Sequence, residues 1–145
     1  MRTLSLILLG LISLGVALAQ EGTGVPTAVN GYFEESQAEA GRAAYQQHCS
    51  SCHGESLLGG TFGGPPIAGS YFAQRWQGRS VGELHEYITQ MMPLGQGGTL
   101  TGEAYRTITA YLLSMNGFIA GMEPIGADTG TLDLIINFPP ESSSE

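Results

Sequence analysis

Apolar residues run almost unbroken from Leu4 to Leu18 and stop at the polar pair Gln20-Glu21. With Arg2 ahead of the run and the short side chains Ala17 and Ala19 behind it, residues 1–19 read as a secretory signal peptide cleaved after Ala19. An uncleaved membrane anchor is the alternative, but Gly10, Ser13 and Gly15 interrupt a stretch barely long enough to span a bilayer. Residues 20–34 show no helical period, and Gly22, Gly24, Pro26 and Gly31 punctuate them, so they are expected to form a flexible leader. Helix-favouring Ala, Gln and Glu then fill a segment from about Ser36 to His48, where Gly41 and Tyr45 fall on one face.

Between residues 54 and 70, glycines and the Pro65-Pro66 pair recur so densely that only a loop fits. A short helical turn is expected at Tyr71–Trp76. Ser80-Val81-Gly82-Glu83 has the form of a capping box and opens a helix to Met91, with Leu84, Tyr87, Ile88 and Met91 on its apolar face. Thr101 is a suitable N-cap for a last helix to Asn116, Gly117 its C-terminal stop, and Ala104, Ile108, Tyr111, Leu112 and Met115 its stripe. Beyond it, only Leu132–Phe138 alternates like a strand, and the Pro- and Ser-rich end is expected to be disordered. The domain proper is therefore placed at 35–117, with a C-terminal extension at 118–145 that wraps the domain, docks on a partner or stays loose. The fold class is all-α.

Charge narrows the choice of partners. Thirteen acids face five basic residues, all arginine, for a net charge of −8, and loss of Arg2 with the signal makes the balance more negative still. Such a surface repels phosphate backbones and anionic lipid, which excludes nucleic acid and argues against membrane association after cleavage, and it suits partners with basic patches.

The cysteine spacing carries the chemistry. Cys49-Ser50-Ser51-Cys52-His53 is the C-x-x-C-H pattern of covalent haem attachment. Two thiols three positions apart on a turning backbone each reach a vinyl group on one porphyrin edge, and His53 is directed at the iron. A thioredoxin-like redox pair would need alternating strands and helices around it, and a structural zinc would need a second ligand pair, where only His48 and His85 remain. Those two are expected at the surface. An iron that only transfers electrons wants its sixth position filled, and a methionine thioether suits it. Met92 is the first candidate, because Pro93 and the following glycines end the helix there; Met91 competes one residue away. Met115 is expected in the core. A ligating histidine generally donates its second ring N–H to a fixed acceptor, and the stiff Pro65-Pro66 segment offers a carbonyl.

From Gln37 to Gly117 the order of these motifs resembles the class I c-type cytochromes. That resemblance implies three to five helices around one haem c, with Gly41 and Tyr45 of a first helix crossing Ala110-Tyr111-Leu112 of a last one. It implies that the Pro65 carbonyl orients His53, that Ile67 stands where leucine is usual, that Met92 is the distal ligand, and that Trp76 with Arg75 or Arg79 approaches the haem propionates. The run from Tyr71 to Met92 is similar to small periplasmic cytochromes that accept electrons from quinoprotein dehydrogenases. The function implied is extracytoplasmic electron transfer between redox partner proteins, a dehydrogenase donor or an oxidase acceptor, without enzymatic activity. A haem-bearing subunit of a larger oxidoreductase, and a gas- or peroxide-binding protein with an open distal site, are the alternatives.

Overall fold

A computed structural model describes residues 31–126 and 128–138. The expected signal peptide, most of the leader and the tail from Pro139 lie outside these residues. Five helices account for most of the regular structure: α1 (Glu35–His48), α2 (Ser50–His53), α3 (Ser70–Trp76), α4 (Val81–Met91) and α5 (Gly102–Met115). Two two-residue strands, β1 (Phe33–Glu34) and β2 (Ala120–Gly121), pair in parallel with Phe33 opposite Ala120. The all-α expectation holds, and no described helix is long and apolar enough to cross a membrane.

The central packing is α1 across α5. Gly41 permits it: a Cβ there would lie 1.9 Å from the Thr107 carbonyl oxygen and 2.8 Å from the Tyr111 Cβ, so the two backbones approach as only glycine allows. One turn on, the rings of Tyr45 and Tyr111 meet with centroids 5.3 Å apart. Burying Tyr105, Ile108, Tyr111, Leu112 and Leu113 on α5 removes a large apolar area from water and supplies the main drive for this pairing. Two stripe positions depart from expectation. Met115 is 44% exposed and Met91 48% exposed, because each sits in the last residue of its helix, beyond the surface that covers the preceding turn.

The capping chemistry reads as the sequence suggested. Ser80 Oγ accepts the Glu83 N–H at 3.1 Å while a Glu83 carboxylate oxygen accepts the Ser80 N–H at 2.8 Å, closing the box that opens α4. Thr101 Oγ1 accepts the Ala104 N–H at 3.1 Å and starts α5.

Packed residues continue on both sides of 35–117. Tyr32 and Phe33, assigned above to the flexible leader, are buried, and the Tyr32 N–H bonds the Ile119 carbonyl at 2.9 Å. The described part of the extension, up to Phe138, packs against the helices. Ile125 and Ile136 are 1% and 0% exposed. The Gln37 side chain clasps Ile125, accepting its N–H at 2.6 Å and donating to its carbonyl at 3.2 Å. Over Leu132–Phe138 there is no strand proper. A 3-10 turn at Thr131–Asp133 leads into extended chain that bonds the segment before α4, with one antiparallel bridge between Ser80 and Ile135.

Candidate functional site

α2 is a single turn, and its shortness arranges the motif. Cys49 is its N-cap, and its carbonyl accepts the N–H groups of both Cys52 and His53, at 3.1 and 3.0 Å. The two cysteines are thus brought one turn apart on the same side, half-buried Cys49 against the core and exposed Cys52 outward. No disulfide joins them. Burial, with Cys52 nearby, pushes the Cys49 thiol up to about 11, so the pocket favours an uncharged sulfur. Burial, then Cys49 and Tyr111, raise the Tyr45 phenol, which stays protonated and donates to the Gly54 carbonyl at 2.7 Å.

The glycine-rich loop exists to wrap this turn. A Cβ at Gly60 would lie 2.5 Å from the Cys52 carbonyl oxygen, and one at Gly64 2.4 Å from it. The chain therefore passes against the back of the motif where side chains could not, and delivers Pro65 to His53. His53 Nδ1–H donates to the Pro65 carbonyl at 2.9 Å. A carbonyl only accepts, so Nδ1 carries a proton, and in the neutral ring the lone pair is then on Nε2. The Ile67 N–H bonds the Leu57 carbonyl at 2.7 Å and holds the far end of the loop.

A cleft of about 240 Å³, open to solvent at its mouth, lies beside α2. Cys49, Cys52, His53, Pro65, Ile67 and Met92 all line it. Leu84 and Ile88 of α4 and Ile108 and Leu112 of α5 form apolar walls, while Phe62 and Leu94 stand exposed at its edge. Arg75 and Trp76 line it as well, whereas Met91 and Arg79 do not. The Arg75 guanidinium lies 4.6 Å from the Tyr87 ring centroid and pairs with no carboxylate among the described residues. Arg79 is held elsewhere, paired with Glu83 at 2.9 Å and lying over the Trp76 ring at 4.9 Å from its centroid. The two remaining histidines are not plain surface residues: His48 lines the cleft, and half-buried His85 bonds Thr109 Oγ1 at 3.2 Å.

The family model for cytochrome c oxidase, cbb3-type, subunit III matches residues 36–112, more than half of the 145 residues and a span holding both cysteines, His53 and Met92. The chain belongs to this c-type cytochrome family. The cytochrome accordingly carries covalently bound haem c with its iron and serves in electron transfer. Among solved structures, a chain of the sulfane dehydrogenase SoxCD from Paracoccus pantotrophus is similar in fold, with a TM-score of 0.51 and 22% identity, covering 92% of this cytochrome and 72% of that chain. No curated protein matches the chain significantly.

The residues of the cleft fit that group. Two cysteine sulfurs sit one turn apart at its side, an imidazole is oriented through Nδ1 so that Nε2 is left for a metal, and apolar walls suit the faces of a flat macrocycle. The cleft residues that sequence reasoning did not assign to it include its helical walls, Leu84, Tyr87, Ile88, Ile108 and Leu112. Their helical spacing was visible, but spacing shows only that a face is apolar, not whether a helix or a cofactor covers it.

Proposed function

We propose that this cytochrome passes single electrons between redox partner proteins outside the cytoplasm, with His53 and Met92 as the axial ligands of its haem iron. The observation that carries the reading is the asymmetry at the end of α4: Met92 lines the cleft together with His53, and Met91 turns to solvent. When bound, the haem supplies a one-electron iron couple. The protein's residues do the rest. Cys49 and Cys52 tether, Pro65 fixes the tautomer of His53, and the apolar walls exclude water, which favours the less charged oxidation state.

Arg75, supported by Trp76 and Tyr87, is suited to neutralise the propionates, since a guanidinium with no carboxylate partner in an apolar cleft gains most from a buried anion. Arg79 acts through Trp76, whose ring it covers, and does not reach the cleft. Exposed Phe62 and Leu94 leave an apolar rim for brief contact with a partner, a dehydrogenase donor or an oxidase acceptor. Residues 1–19 as a signal peptide place the protein in the periplasm or an equivalent compartment.

Substitution tests the ligation. Met92→Ala should abolish the sulfur-to-iron charge-transfer absorption and lower the reduction potential, whereas Met91→Ala should leave both as they are. An unaltered spectrum in Met92→Ala would refute His/Met ligation and favour an open distal site. A second reading, a fixed subunit of a larger oxidoreductase, is favoured by the family model, which describes an oxidase subunit. Size-exclusion chromatography of native extract separates the two: a free carrier elutes at its own mass.

A further inference from the structure

α5 reaches both segments that bear on the axial positions. At its N-terminal end, Tyr105 is 2% exposed, and its hydroxyl donates to the Met92 carbonyl at 2.8 Å. The same oxygen accepts the Leu100 N–H at 3.4 Å, so one phenol contacts both ends of the loop from Met92 to Leu100. At the other end of the helix, Asn116 Oδ1 accepts the Gly69 N–H at 3.0 Å and Nδ2 donates to the Ile67 carbonyl at 3.2 Å, which steadies the segment after Pro65.

The two loops differ in how else they are held. On the His53 side, the backbone bond from Ile67 to Leu57 and the close approach at Gly60 and Gly64 fix the chain without any help from α5. On the Met92 side, the loop is tied mainly to itself and to α4: Gln96 N–H to the Pro93 carbonyl at 2.7 Å, Gly98 N–H to the Thr89 carbonyl at 2.7 Å, Met92 N–H to the Ile88 carbonyl at 3.0 Å. Those bonds would survive a rotation of the Met92 peptide, because none of them uses its carbonyl. Among the described residues the Tyr105 hydroxyl is the hydrogen-bond partner of that carbonyl.

We propose that Tyr105 is a positioning residue for the distal ligand: by holding the Met92 carbonyl from a buried site on α5, it keeps the thioether turned into the cleft and closes the sixth position to outside ligands. The inference rests on Met92 being that ligand. Removal of the hydroxyl leaves the ring packed and the carbonyl without its partner, which loosens the loop but not the fold.

The test uses haem-loaded full-length protein and imidazole as an external ligand for the oxidised iron. Tyr105→Phe should raise the rate of imidazole binding by about three- to tenfold, the range expected for loss of one hydrogen bond, and weaken the sulfur-to-iron charge-transfer absorption. Asn116→Ala serves as the control: it should lower thermal stability while leaving imidazole binding and that absorption as in the wild type. Wild-type binding in Tyr105→Phe would overturn the proposal, and so would an equal increase in Asn116→Ala, which would make the effect one of general loosening. Met92→Ala tells the two failures apart. If it admits imidazole freely while Tyr105→Phe does not, only the role of Tyr105 falls; if it changes nothing, the ligation itself falls.

Discussion

Individual side chains here owe their chemistry to neighbours far along the chain. His53 takes its tautomer from the Pro65 carbonyl, and the carbonyl arrives because Gly60 and Gly64 let the loop pass the back of Cys52. Gly64→Ala should therefore impair cofactor attachment, read as a lower yield of haem-bearing protein by mass spectrometry; a wild-type yield would show that the loop can retreat. Gly41→Ala pushes a methyl against the Thr107 carbonyl and should cost about 2–3 kcal/mol in denaturant unfolding of the haem-loaded protein. His85 makes a prediction in pH. Burial, then the Arg106 charge, hold its imidazole below the usual 6.5, against a smaller opposing effect of the Tyr105 backbone. The folded state thus takes up its proton less readily than the unfolded chain, so this contribution is whole above about pH 6.5 and is lost as pH falls through the folded-state value. His85→Gln should flatten the stability profile on the acid side, and an unchanged slope would exclude His85 as its source.

Among the elements, α4 is the most locally determined. Its start depends on a reciprocal cap, and Glu83 is held below the usual carboxylate range first by the Ser80 N–H and then by Arg79. Ser80→Ala should lower stability by about 1 kcal/mol, measured by the denaturant midpoint, and leave the haem spectrum unchanged. Its C-terminal end was legible too, since Pro93 stops the helix and releases Met92. Which of two adjacent methionines faced the cleft was open in the sequence: neighbouring residues on a helix end point about a hundred degrees apart, and only the placement of α5 and the loop chooses between them. The same limit explains Met115, which has the spacing of a core residue but lies past the last residue that α5 buries, Leu113.

Across the whole molecule, the chain after α5 closes the fold. Ile125 and Ile136 are buried although both follow α5, so Ile136→Ala should cost about 2–5 kcal/mol even though it lies outside the part of the chain matched by the family model. Wild-type thermal stability in that variant would mean that the extension is only laid against the domain. Charge acts at this scale as well. With a net charge of −8, reduction by a cationic small-molecule donor should slow as ionic strength rises and that by an anionic donor should quicken, measured by stopped flow; matching salt dependence for both would rule out steering by the overall field.

The sequence determined what depends on adjacent residues. The C-x-x-C-H spacing, the caps at Ser80 and Thr101, the breaks at Pro93 and Gly117 and the single glycine at position 41 were enough to name the cofactor chemistry and the order of helices, because turn, cap and ligand spacing are set within a few positions. Tertiary structure decided what depends on contact between distant segments. Phe33 paired with Ala120, Gln37 clasping Ile125, Arg75 rather than Arg79 at the cleft, and Tyr105 reaching the Met92 carbonyl all join residues whose pairing has no local signature. A side chain's type and period show what it can bind, and the folded chain alone selects which partner it meets.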